Sequence, residues 1–154
     1  MSENRLTLDY CRSTIDNPFR LRLAGAIEAY LDGSIDNWEL DDVAFEKNTE
    51  DLLCAEIRDQ LWLTYDDIKR YRNVGEREFT VEVEAMLRRW VVLLRTEIEW
   101  STIVGPQSTS MWARFHGRFI YPRTAPKCKF GSNPYWPLKD AAAWEPVLKE
   151  GQVV

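Results

Sequence analysis

Two short spacings of acids carry the most definite chemistry in this chain. Glu39-x-x-Asp42 and Glu56-x-x-Asp59 each set two carboxylates on one helical face, because residues three apart are neighbours on a helix. On two facing helices, the four acids could clamp a Mg²⁺ or Mn²⁺ ion together with the phosphates of a nucleotide. That would be the chemistry of a small metal-dependent nucleotide or phosphate hydrolase of all-α type. The competing reading is a solvated helix face, since such pairs arise readily in a segment this rich in acids, where Lys47 and Arg58 are the two bases.

A second candidate is Asp32-Gly33-Ser34-Ile35-Asp36-Asn37-Trp38-Glu39, which matches the second half of a calcium-binding EF-hand loop. The first half fails: Glu28 and Tyr30 stand at ligand positions, and a phenol does not replace a carboxylate. A capped turn is therefore the expectation for this stretch. Asp66-Asp67 follows Tyr65. Adjacent helical residues point about 100° apart, so at most one of the two can face inward, where Arg89, Arg95 or Lys69 would be its ion-pair partner. His116 is the only histidine; with no cysteine or serine standing out as its partner, no catalytic residue is assigned. Histidine-ligated zinc is excluded on the same count.

Charge distribution supplies the leading functional reading. The net charge of −5 hides a block at residues 32–67 in which twelve acids face only Lys47 and Arg58, while 101–154 holds seven bases against three acids. An acidic helical face rimmed by tryptophan suits a basic partner, through electrostatic steering and aromatic anchoring. Asp36, Trp38, Glu39, Asp41, Asp42, Asp66 and Asp67 are the residues expected to form that face. The partner would be a basic protein or, in a homo-oligomer, the basic tail of a second copy. Residues 112–130 interleave five aromatics with Arg114, Arg118, Arg123, Lys127 and Lys129, a texture that can hold single-stranded nucleic acid. The net acidity of the chain repels a polyanion, so an amphipathic wrap is the preferred reading of that segment.

The elements that must position these residues are mainly helical. Asp16-Asn17-Pro18 starts a helix and Asp32-Gly33 stops it, with Phe19, Leu23, Ile27 and Tyr30 on one face and Arg20, Arg22 and Glu28 off it. A short helix follows over about 38–46, capped by Asp36-Asn37. Asn48-Thr49 opens a second long helix whose stripe of Leu53, Ile57, Leu61, Ile68 and Tyr71 runs to about Asn73-Val74-Gly75. A third helix runs from about 80 to 99, with Thr80 as its cap. Six of the seven prolines lie beyond residue 105, which forbids another long helix there. Residues 111–121 read equally as strand or short helix, and Asp140 could cap a last helical turn over Ala141–Trp144.

Three cysteines far apart, without a CxxC pair, fit neither a disulfide framework nor a zinc knuckle and suit a reducing cytoplasm. No run approaches the roughly 20 apolar residues that span a membrane. The expectation is one mainly α domain over 1–154, with a helical body at about 16–100 and a proline- and aromatic-rich wrap at about 101–154.

Tyr30-Leu31-Asp32-Gly33-x-Ile35-Asp36-Asn37-x-Glu39-x-Asp41-Asp42, Leu61-Trp62-x-x-Tyr65-Asp66-Asp67, Arg89-Trp90-x-x-Leu93-Leu94-Arg95 and Glu99-Trp100 together resemble a group of short bacterial proteins, a domain of unassigned function. The resemblance covers roughly residues 18–100 and extends to Tyr135-Trp136-Pro137. It implies bacterial origin and cytoplasmic location, and it transfers no catalytic residue. The sequence thus favours a non-catalytic interaction protein, immunity-like or antitoxin-like, over the hydrolase.

Overall fold

A computed structural model of the chain describes residues 14–99 and 135–150. Among these residues five α-helices follow in order: α1 Asn17–Leu31, α2 Asn37–Ala44, α3 Leu52–Trp62, α4 Val81–Leu94 and α5 Ala141–Glu150, with a 3₁₀ turn at Gly75–Arg77 before α4. The protein is mainly α, and the described residues contain no strand beyond one isolated bridge between Asp36 and Arg72. None of the described helices is long and apolar enough to cross a membrane.

Local signals set most helix ends. The Asp16 carboxylate accepts the Phe19 N–H, and Pro18 sits in the first turn of α1. At the other end Gly33 takes φ 71°, and a β-carbon there would lie 2.8 Å from Val74 Cγ1, so both the left-handed backbone and the close approach require glycine. Asp36 opens α2 with a capping box, its carboxylate accepting the Trp38 and Glu39 N–H groups while Glu39 Oε2 accepts the Asp36 N–H. Thr80 caps α4 as expected.

Two helices are shorter than their periodicity predicts, and both are ended by tertiary contacts. α3 begins after Asp51, not Asn48, and stops at Trp62. There the Thr64 hydroxyl and N–H both turn back to the Leu61 carbonyl. Beyond it the buried Asn37 side chain donates to the Asp66 and Lys69 carbonyls and accepts the Tyr71 N–H. These three bonds wrap residues 66–71 around one amide, which a continuing helix would not allow. Ile68, placed on the apolar stripe by its spacing, is in consequence 81% exposed. α4 stops at Leu94 instead of about 99, because Arg20 Nη1 captures the Thr96 and Ile98 carbonyls at 2.8 and 2.9 Å.

α1 packs against α2, α3 and α4, and α5 packs on α4. The core joins Phe19, Leu23, Ile27 and Tyr30 of α1 to Leu40, Leu53, Ile57, Leu61, Leu87, Trp90, Leu93 and Trp144. Arg20, expected on the outer side of α1, is fully buried with Asp51, its Nε and Nη2 reaching the two carboxylate oxygens at 2.6 and 3.0 Å. Asp51 also accepts the N–H groups of Asp16, Leu53 and Cys54. One salt bridge therefore ties the start of α1, the start of α3 and the end of α4.

Asp140 accepts the Ala143 N–H as the sequence suggests, but the helix continues to Glu150 through Pro146. Residues 111–121, His116 and the basic–aromatic stretch 112–130 lie outside the described residues.

Candidate functional site

The expected acidic face divides into two groups. Asp36 is buried and occupied: besides capping α2 it accepts Arg70 Nε at 2.5 Å. Burial works against its charge, yet these N–H donors and the Arg70 guanidinium outweigh it and hold the carboxyl below its ordinary pKa. Glu39 is held by the Asp36 N–H, and the Asp66 carboxylate accepts the Ile68 N–H within its own turn. These three acids serve the backbone.

The other four expected residues converge. Trp38, Asp41, Asp42 and Asp67 line one open hollow of about 270 Å³ together with Tyr65. α2 presents the first three because Leu40 and Ala44 are buried in the core, which turns positions 38, 41 and 42 toward the rim. The turn after α3 supplies Tyr65 and Asp67. Tyr65 fixes the floor: it is buried, packs edge-on to Tyr30 at 6.2 Å between centroids, and donates its hydroxyl to Asp41 Oδ1 at 2.7 Å. Burial, followed by the neighbouring Asp41 carboxylate, pushes the Tyr65 phenol well above its usual pKa, so it remains a donor. Trp38 is 45% exposed at the rim.

Tertiary pairing sharpens the charge pattern. Within the acidic block, Asp32 meets Arg88, Asp36 meets Arg70, Glu46 meets Arg22, Asp51 meets Arg20 and Asp59 meets Arg58. Among the described residues, no ion pair or hydrogen bond engages the carboxylates of Asp42 and Asp67. Three of the acids left without an ion pair among these residues, Asp41, Asp42 and Asp67, share the hollow, while Glu39, Glu50, Glu56 and Asp66 lie outside its lining. The expected pairing of Asp66 or Asp67 with Arg89, Arg95 or Lys69 does not form: Arg95 pairs with Glu28, and Arg89 lies over the Tyr135 ring at 5.3 Å.

The four-carboxylate constellation is not assembled. No group of three or more His, Cys, Asp or Glu among the described residues is placed to hold a metal ion, so Glu39 and Asp42 do not meet Glu56 and Asp59. Glu39 Oε2 is spent on the α2 cap, and Asp59 Oδ1 on Arg58 Nε at 3.2 Å. The EF-hand likeness dissolves in the same way, with Asp36 and Glu39 closing a capping box and Tyr30 buried.

Glu56 is perturbed for another reason. Burial, helped by the charge of Asp59, pushes its carboxyl up to about 7 from an ordinary 4.5. A raised carboxyl pKa means that the folded state binds the proton more tightly, so stability falls as pH rises from about 4.5 to 7. Glu56→Gln is expected to leave stability unchanged at pH 4.5 and to raise it at pH 8 by at most about 3 kcal/mol. Urea denaturation at the two pH values checks this, and equal increments at both would show that Glu56 does not titrate with folding.

Tyr65 is the member of the hollow that the sequence does not place on the acidic face. Its role depends on α3 ending three residues earlier, which no local residue announces. Comparison with family models, curated proteins and solved structures found no match for this chain.

Proposed function

We propose that this chain is a non-catalytic protein-interaction module whose acidic hollow receives a basic partner, as an immunity protein or an antitoxin would. The observation that carries the reading is the placement of exposed Trp38 beside Asp41, Asp42 and Asp67 in one hollow, where, among the described residues, Asp42 and Asp67 form no ion pair. An exposed aromatic gives binding energy by contact with the partner, while the unpaired carboxylates beside it steer and orient a cationic one. A cytoplasmic, bacterial setting follows from the sequence resemblance and belongs to the same proposal.

The direct test reverses charge at Asp42 and Asp67. Asp41 is left alone because it holds the Tyr65 hydroxyl, so its loss would mix folding with binding. A D42K/D67K double variant should lose the partner captured by the wild-type protein from a lysate of its own source. Its stability should stay within about 0.5 kcal/mol per site, as for ordinary surface changes. Wild-type capture should also weaken as salt rises, since exposed charges are screened beyond about 10 Å at 0.1 M ionic strength. A partner held equally by the double variant would overturn the proposal.

A further inference from the structure

Trp38 already carries a guanidinium. Arg70 is 56% exposed, and its guanidinium carbon nevertheless sits 5.7 Å from the Trp38 ring centroid while its Nε is anchored to Asp36. The fold repeats this choice, with Arg58 over Phe45 at 5.1 Å and Arg77 over Tyr71 at 4.9 Å. At Trp38 the arrangement is an indole with a carboxylate alongside, and the hollow on the same residue offers the same two ingredients again: the indole, and the free carboxylates of Asp42 and Asp67.

This combination discriminates between cations. A guanidinium is planar, weakly hydrated and forked, so it can stack on an aromatic face and donate to two carboxylates at once; an ammonium is a compact, strongly hydrated point charge. The size agrees, because about 270 Å³ lies below the roughly 300–1,000 Å³ of sites for drug-sized ligands and suits one side chain. We infer that the hollow reads arginine: the partner's guanidinium packs on Trp38 and is hydrogen-bonded by Asp42 and Asp67, with the Tyr65–Asp41 bond as a fixed floor. Arg70 holds Asp36 and the Asp36 N–H holds Glu39, while the Arg70 charge reaches Asp42 without bonding it, which leaves the Asp42 and Asp67 oxygens open to the incoming side chain. The inference deepens the proposed function and rests on it.

Three acetylated, amidated peptides of one glycine- and serine-based sequence, carrying two arginines, two lysines or two citrullines, test it by calorimetry at low salt with the full chain. The arginine peptide is expected to bind about three- to fivefold more tightly than the lysine peptide, and the uncharged citrulline peptide not to bind. Trp38→Ala, at an exposed position whose folding is checked by its melting curve, should erase the arginine preference, whereas D42K/D67K should abolish binding of both cationic peptides. Equal arginine and lysine affinities that D42K/D67K abolishes would overturn arginine recognition and leave the acidic docking face standing. Binding that D42K/D67K does not touch would overturn both. Concentration-dependent self-association, lost in D42K/D67K and unaccompanied by peptide binding, would assign the hollow to a second copy of this chain and overturn recognition of a foreign arginine.

Discussion

Replacing Arg20 with methionine is expected to cost about 3–5 kcal/mol, the range for removing one partner of a buried ion pair. The size follows from what is stranded. Both side chains are fully buried, and Arg20 serves four acceptors: the two oxygens of Asp51 and the carbonyls of Thr96 and Ile98. Methionine fills much of the same volume, so the loss measures polar groups left without partners rather than a cavity. Asp51 would keep the N–H groups of Asp16, Leu53 and Cys54, which is why the lower half of the range is the better expectation. Urea denaturation at unchanged m-value gives the number. Arg20→Met combined with Asp51→Asn should lose less than the sum of the single changes, since the double variant strands no buried charge. Against a total stability of roughly 5–15 kcal/mol the single change is severe. A loss under about 1 kcal/mol would mean that water reaches the pair.

Arg20 also marks the limit of what could be read from the chain. Where a boundary is written locally, the reading succeeds: Asp16 with Pro18 at the start of α1, Asp32-Gly33 at its end, and Thr80 before α4 are side chains or conformations acting within three residues. Where it is written by a distant partner, the reading fails. Asn37 ends α3 from about 30 residues away in sequence by taking three backbone groups of 66–71, while the apolar stripe runs on past the break. Helical spacing puts Arg20 off the apolar face of α1, and nothing near it in sequence points to Asp51, 31 residues distant.

The site divides along the same line. Trp38, Asp41 and Asp42 are legible as members of one face, because α2 is short and its start is set by Asp36, whereas Asp67 reaches the hollow from the turn after α3. Asp36 and Glu39 were placed on that face by their charge alone, although an acid followed three residues later by glutamate is itself the signal of a capping box. Asp66 and Tyr65 depend on the turn after α3, and their roles became visible only once that turn was placed.

Trp144→Ala is the second change expected to be large, at about 3–5 kcal/mol, lowering the melting temperature by roughly 6–20 °C for a chain of this length. Trp144 is buried, its indole N–H donating to the Tyr135 carbonyl at 2.7 Å. Its neighbourhood is a set of mutual supports: Trp90 of α4 donates to the Trp136 carbonyl at 3.0 Å and meets that ring edge-on, with centroids 5.2 Å apart. Truncating Trp144 leaves a void under α5 and also frees the carbonyl that orients Tyr135, so residues 135–138 lose their seat together with the helix. Trp62→Ala supplies the contrast, because that tryptophan is exposed and its loss should be nearly neutral. The shape of the melt carries further information. If α5 and α1–α4 share one cooperative unit, Trp144→Ala moves a single transition downward; a separate early transition would mean that α5 docks on a body already stable without it. A melting temperature within about 2 °C of wild type, corresponding to no more than about 1 kcal/mol, would show that α5 does not seal the core through Trp144.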